Sequence, residues 1–305
     1  MSILKVEGLS HKYSQAWAIK DITLEINSTG VIGLLGSNGA GKSTTMNIIC
    51  GVLNQTEGHV YIDGLDTREK AELARTHIGF LPQQPPVYTD LTVDEFLRYS
   101  AELRLIPKDK IKAAIEEAKE RCQISHFSSR LIRNLSGGYR QRVGIAQAII
   151  HKPKLVVMDE PTNGLDPNQL IEARKLIRDI ARDCSVLLSS HVLSEINLLC
   201  REIIMIETGR IVFSDSMEAF NNYLQPNSLL LYMENPPDLE AIKSVSGVTS
   251  AVLLGNNQYR VYFEGGKEIT ERLIAANVQQ GWRLQEISLE KGLLDDVFKQ
   301  LSAKI

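Results

Sequence analysis

Gly30-Val-Ile-Gly-Leu-Leu35, followed by Gly36-Ser-Asn-Gly-Ala-Gly-Lys42-Ser43-Thr44, decides the fold class of this chain. Residues 30–35 are apolar on both faces, as a strand buried in a parallel sheet must be. Residues 36–44 fit GxxxxGK[ST] in full, and Thr45, Ile48, Ile49 and Val52 then recur at helical spacing. Strand, glycine-rich turn and helix together make an anion-binding cradle. Backbone N–H groups from Gly36 through Ser37, Asn38, Gly39, Ala40 and Gly41 can line it, and the helix start adds partial positive charge. Lys42 then reaches the terminal phosphates of a nucleotide, and Ser43, with Thr44 beside it, offers a hydroxyl to Mg²⁺.

Around this unit the chain reads as α/β. Upstream, Leu4, Val6 and Leu9, then Ile22, Leu24 and Ile26, alternate on one face across the polar segment His11 to Gln15, which predicts an antiparallel β-layer. Downstream, strands are predicted at Val60–Ile62, Ile78–Leu81, Leu155–Met158, Val186–Leu188 and Ile203–Ile206, with helices between several of them, so the main sheet is mostly parallel. Val93–Leu105 and Lys108–Cys122 are amphipathic helices with no strand between, which places a helical insertion over about residues 85–150. Residues 1–220 therefore form the first domain, and 221–227, which carry no periodic signal, a linker. Residues 228–305 have their own order. Leu229–Met233, Leu239–Val245, the hairpin Thr249–Leu254 and Tyr259–Phe263 around Gly255-Asn256-Asn257, Ile269–Gln280 and Trp282–Ile287 read βαββαβ, a small ferredoxin-like α+β domain closed by a helix at Leu293–Leu301.

Composition sets bounds on function. With 43% apolar and 23% charged residues among 305, the chain is neither disordered nor fibrous. Its 34 basic and 37 acidic residues give a net charge of −3 and no long run of one sign, so nothing marks a nucleic-acid partner. The longest apolar runs, such as Ile203–Ile206, fall far short of the ~18 residues that cross a bilayer, and no secretory signal opens the sequence. The expected location is cytoplasmic. Cys50, Cys122, Cys184 and Cys200 lack metal-ligand or disulfide-scaffold spacing and read as free thiols.

Two further stretches carry chemistry. Leu155-Val-Val-Met-Asp159-Glu160 ends an apolar strand in two acids, at the edge of a parallel sheet where ligands bind. Asp159 suits Mg²⁺, and Glu160 is placed to orient or deprotonate an attacking water. Leu135-Ser136-Gly137-Gly138-Tyr139 opens a helix with Val143, Ala146 and Ile149 on one face, a second helix start able to meet phosphate. One P-loop implies one nucleotide per chain, so the second helix start points to a nucleotide held by another subunit.

Over roughly Ile3 to Asp215 the sequence resembles the nucleotide-binding subunits of ABC transporters. The resemblance implies Walker A at Gly36–Thr44, the signature at Ser136–Gly138, Walker B at Asp159 and Glu160, and a D-loop at Asn163–Asp166. It further implies that Tyr13 stacks on adenine, that Gln83 joins nucleotide and metal to a transmembrane partner, and that His191 contacts the γ-phosphate. Tyr139 departs from the commonest signature, which has Gln there. The ending Ile287-Ser-Leu-Glu290 with Asp295-Asp-Val-Phe298 looks like the C-terminal extension of ATPases paired with export-type permeases. The implied function is an ATPase, binding ATP and Mg²⁺ as a homodimer that sandwiches two nucleotides. Apart from the resemblance, the faces of the small C-terminal sheet favour a dimer contact for that domain, with a packing accessory or a ligand sensor as the alternatives. The implied ATPase would sit on the cytoplasmic face of the plasma membrane, driving a separate permease. The alternative is a soluble ABC ATPase acting on chromosomes or ribosomes. Against it, only 95 positions separate Gly41 from Ser136, too few for a long coiled coil, and the chain has one cassette rather than two. A GTPase or small-molecule kinase is disfavoured by the lack of an NKxD motif.

Overall fold

In the computed structural model, which describes residues 2–223, 228–266 and 268–290, the chain separates into two compact units, Met1–Met217 and Glu218–Ile305. The first opens with β1 (Leu4–Tyr13), β2 (Ala16–Ile26) and β3 (Gly30–Leu35). Alternation decides the first two, since Leu4, Val6 and Leu9 pair with Ile26, Leu24 and Ile22 on one buried face. The strands run further than the polar segment at His11–Gln15 suggests, because His11 is itself buried in β1. β4 (Glu57–Ile62) and β5 (Leu65–Asp66) extend this antiparallel layer in the order β2-β1-β4-β5.

β3 enters a second sheet with β6 (Ile78–Leu81), β7 (Leu155–Met158), β8 (Ser185–Ser190), β9 (Glu202–Glu207) and β10 (Arg210–Ser216). Its order is β10-β9-β3-β8-β7-β6, parallel throughout except for the β9–β10 hairpin. β7 is buried at every position, as its unbroken apolar run requires, and each such side chain stabilises the sheet by roughly 2 kcal/mol. The two-residue β5 and the half-exposed β10 are too short or too weakly patterned to be read in sequence.

The helices are α1 (Lys42–Ile49), α2 (Ala71–Thr76), α3 (Val93–Leu103), α4 (Lys108–Arg121), α5 (Gly137–Ile149), α6 (Pro167–Ile180), α7 (Leu193–Leu199) and α8 (Met217–Tyr223). α1 stops short of its apolar pattern, because the chain turns at Gly51 with φ +68° and leaves Val52 exposed beyond the helix. α3 begins at a capping box in which Thr92 and Glu95 exchange bonds. It is tied to α4 by the buried Lys119, whose ammonium donates to Asp94 at 2.7 Å, Glu116 at 2.9 Å and Ser128 at 2.8 Å.

The second unit contains β11 (Ser228–Met233), α9 (Leu239–Lys243), β12 (Val248–Gly255), β13 (Gln258–Phe263), α10 (Glu268–Gln280) and β14 (Leu284–Glu290). The strands form one antiparallel sheet in the order β12-β13-β11-β14, the ferredoxin-like arrangement of a βαββαβ chain. Leu229, Leu231, Val261, Ile242 and Leu273 fill a core of its own. Trp282, expected to open the last strand, is buried just before it, where Arg283 takes φ +53°. Positions 221–223 of the expected linker belong to α8, whose last turn the sequence did not distinguish from loop. Residues 224–227, the expected helix at Leu293–Leu301 and the segment Asp295–Phe298 lie outside the described residues.

All four cysteines are free and buried. Burial pushes the thiols of Cys122 and Cys200 up to about 12 and that of Cys184 up to about 11, and raises Cys50 as well. At pH 8 the native protein should therefore react with a chromogenic disulfide reagent slowly or not at all, and release four equivalents on denaturation. Fast reaction of the native form would contradict this burial.

Candidate active site

Parallel pairing brings the ends of four strands to one edge. Leu35 of β3 lies opposite Ser190 of β8, Leu188 opposite Met158 of β7, and Met158 opposite Leu81 of β6. The residues that follow these ends are Gly36, His191, Asp159 with Glu160, and Gln83, so four distant segments converge. A cleft of about 520 Å³ opens there, lined by Asn38, Gly39, Gly41, Lys42, Ser43, Thr44, Gln83, Glu160, Asn163 and His191, with Ala18 from β2.

The loop needs its glycines. A Cβ on Gly36 would stand 2.3 Å from the carbonyl of Ile206 in β9, and one on Gly41, at φ +107°, 2.5 Å from Ile19 of β2. Gly39, at φ +82°, faces open space. The loop is thus wedged against both sheets while its other side stays free. No side chain caps α1 and no acid stands in its first turn, which leaves the helix start to an anion. Lys42 is buried, and its ammonium donates to the carbonyls of Gly36 at 2.9 Å and Ser37 at 3.0 Å. Desolvation lowers its pKa below the ordinary lysine value, opposed by the charges of Glu160, Asp159 and Glu207. Ser37 in turn donates its hydroxyl to Glu207 at 2.9 Å.

Asp159 is buried at the end of β7 and accepts the Ser189 hydroxyl on Oδ1 at 2.5 Å. Glu160 leaves the strand with φ +47°. Its Oε1 lies 2.9 Å from His191 Nδ1, and its Oε2 accepts from Asn163 Nδ2 at 3.2 Å. Asn163 and Ser189 were not singled out as site residues in the sequence. A D-loop pattern runs through the first, but nothing in Ser189-Ser190 tells which hydroxyl faces the neighbouring strand.

Other expected residues do not line this cleft. Tyr13 is exposed near the β1–β2 turn, edge-on to His11 with ring centroids 4.7 Å apart. Ser136 is the N-cap residue of α5 but makes no side-chain cap bond, and both it and Gly137 are exposed. A Cβ on Gly138 would meet the Gln169 side chain at 2.7 Å, so glycine there lets α5 approach the start of α6. Asp166 caps α6, accepting from the N–H groups of Asn168 at 3.0 Å and Gln169 at 2.9 Å. Tyr139 packs on Phe127, with ring centroids 4.5 Å apart.

Residues 19–163 match the family model described as ABC transporter. The chain is 36% identical to the lipopolysaccharide export system ATP-binding protein LptB of Haemophilus influenzae, over 73% of this chain and 94% of that one. It is 30% identical to the bacitracin transport ATP-binding protein BcrA of Bacillus licheniformis, over 98% of this chain and 97% of that one. The chain belongs to the ABC transporter ATP-binding family. A solved dimeric ATP-binding cassette, in a post-hydrolysis state with ADP and phosphate, superposes with a TM-score of 0.64 at 25% identity, covering 70% of this chain and 98% of that one. This ABC ATPase binds ATP and hydrolyses it as the energy-supplying subunit of a transporter. Nothing in these relatives supports the soluble, non-transport alternative. Among the described residues no helix is long and apolar enough to cross a membrane.

The buried ammonium gives a pH test. Because its pKa is lowered, Lys42 loses its proton before an ordinary lysine would as pH rises, and charge attraction to phosphate goes with it. Equilibrium titration with a fluorescent ATP analogue should show affinity beginning to fall below the ordinary 10.5, at the lowered pKa of the free protein, and Lys42→Arg should shift that onset to higher pH. An unchanged onset in the arginine variant would assign the fall to another group.

Proposed function

We propose that two copies of the chain close on two ATP molecules, each nucleotide held by the P-loop of one copy and the signature helix of the other. The observation that carries this is the placement of Ser136 and Gly137. Both are exposed at an uncapped start of α5, yet neither lines the cleft that holds Lys42 and Glu160. A helix start with unmet N–H groups seeks an anion, and a second subunit supplies one. The dimeric solved relative supports the same reading.

Within each site, Lys42 and the N–H groups of Gly36 to Thr44 hold the phosphates, and Tyr13 stacks on adenine. Glu160 orients or deprotonates the attacking water, His191 contacts the γ-phosphate, and Asp166 reaches across the dimer. Ser43, Gln83 and Asp159 suit magnesium, being a hydroxyl, a carboxamide and a carboxylate, all oxygen donors. Among the described residues no group of three or more His, Cys, Asp or Glu could hold a metal alone. That fits an ion carried in on the triphosphate, where it offsets phosphate charge. Gln83 then passes the state of the site to a transmembrane permease, with the chain on the cytoplasmic face of the membrane. Export is the favoured direction, supported by the relative named for lipopolysaccharide export and by the ending around Ile287–Glu290. No nucleic acid takes part.

Glu160→Gln should keep ATP binding while lowering turnover by on the order of 10² to 10⁴, the usual worth of a positioned base. With ATP this variant should be trapped as a dimer, and adding Ser136→Arg should release it. Light scattering and phosphate release measure both. A monomeric ATP-bound Glu160→Gln variant, tested with the permease present, would remove the sandwich.

For residues 228–305 we propose a dimer contact. The edge strand β12 carries no charge or proline, and it exposes Val252, Leu253 and Leu254. Such an edge is open to pairing with another strand. The opposite edge, β14, carries Glu286 and Glu290. Deleting the chain after Asn227 should leave ATP binding per subunit nearly intact but weaken self-association across a dilution series. Leu253→Lys should do the same without deletion. A lower melting temperature with unchanged sedimentation would instead favour a packing role.

A further inference from the structure

Ser189 is fully buried near the end of β8, the strand that is hydrogen-bonded to β3 on one side and β7 on the other. Its hydroxyl bridges two groups at the end of β7. It donates to Asp159 Oδ1 at 2.5 Å and accepts from the backbone N–H of Glu160 at 2.9 Å. The neighbouring Ser190 faces the other way, accepting from Val192 N at 3.0 Å, as alternation along a strand requires. The two serines before His191 therefore have separate tasks.

Glu160 is where the bridge matters most. Its φ of +47° lies in the left-handed region, which costs a non-glycine residue on the order of 1 kcal/mol or more and persists only where the surroundings impose it. The bond from Glu160 N to Ser189 pins that turn to the sheet. A buried N–H needs an acceptor and a buried carboxylate needs a donor, and a single hydroxyl meets both demands. Alanine meets neither, and a thiol meets them weakly.

We propose that Ser189 is a positioning residue for ATP hydrolysis: through one hydroxyl it fixes the carboxylate plane of Asp159 for magnesium and the turn that carries Glu160 into the cleft. This rests on the roles given above to Asp159 and Glu160. Ser189 does not line the cleft, so it acts only through those two.

The test uses the full-length protein with Ser189→Ala and the near-isosteric Ser189→Cys, beside Asp159→Asn and Glu160→Gln. Three quantities are read: ATP affinity in a chelator, Mn²⁺ half-saturation in the presence of ATP by electron paramagnetic resonance, and kcat with KM for Mg·ATP. Both Ser189 variants should keep metal-free ATP affinity within about twofold, since Lys42 and the P-loop are untouched. They should raise Mn²⁺ half-saturation about tenfold, on the order of one lost hydrogen bond to a charged group. They should also lower kcat by roughly 10- to 100-fold with KM little changed, as loss of a group needed in the transition state does. Lowered melting temperature with unmoved Mn²⁺ half-saturation and kcat would show a purely structural role and overturn the proposal. Loss in Asp159→Asn and Glu160→Gln with neither Ser189 variant affected would sink the Ser189 role alone. Wild-type behaviour of Asp159→Asn and Glu160→Gln would sink the underlying site assignment instead.

Discussion

The parallel pairing of β3 with β8, and of β8 with β7, is the constraint on which the rest of the site depends. Hydrogen-bond register sets Leu35 against Ser190 and Leu188 against Met158, so β3 and β8 end level while β7 stops two residues short, which brings Asp159 beside Ser189 on one edge of the sheet. Each segment then continues into a residue held by its neighbours: Lys42 donates to the carbonyls of Gly36 and Ser37, Asp159 accepts from Ser189, and His191 pairs with Glu160. A slip of one residue in either pairing would turn the side chains that follow to the other face. The apolar runs at Val31–Leu35, Leu155–Met158 and Val186–Leu188, all buried, set that register by packing on both sides of the sheet.

The signature helix is held to the same edge from outside the sheet. Gln141 of α5 donates to the carbonyl of Pro161 at 2.9 Å, one residue beyond Glu160. Gly138 lets the start of α5 meet Gln169 of α6, the helix capped by Asp166. Tyr139 fastens the same turn to Phe127 on the helical side. The P-loop and the start of α5 do not share one cleft in this chain. In the proposed dimer, two-fold pairing would complete both nucleotide sites at once, so closure of the dimer and occupancy of the sites would be one event rather than two.

Much of this was legible in the sequence because it rests on local chemistry. The buried strand before a GxxxxGK[ST] turn, the apolar run before Asp159 and the β-alternation at Leu4 to Ile26 each fix a residue type by a short-range need. What was not legible depends on contacts across the fold. β10 pairs at an edge and is half-exposed, so its pattern is weak. The end of α1 is set by Gly51 rather than by the apolar spacing that carries on to Val52. At the site, Ser189 differs from Ser190 only in which face of β8 it occupies, and that follows from pairing with β7, about 30 residues away in the chain, rather than from neighbours.

The resting geometry also bears on what nucleotide binding costs. Flexible glycine-rich loops lose entropy on ordering, and that loss is subtracted from affinity. Here Gly36 lies close against Ile206 and Gly41 against Ile19, contacts that limit how far the loop backbone can move at those two points. The change on binding falls instead on side chains. In the proposed site Lys42 would leave the carbonyls of Gly36 and Ser37 for phosphate oxygens, exchanging neutral acceptors for charged ones, which strengthens its bonds. His191 would likewise leave Glu160 to meet the γ-phosphate, and that would free Glu160 Oε1 for water. Two other bonds would hold Glu160 in place during that change, from its backbone N–H to Ser189 and from Asn163 to its Oε2. On the roles proposed above, the contact that occupies the carboxylate at rest is the one the substrate would withdraw, so the base would become available only with a terminal phosphate present to be attacked.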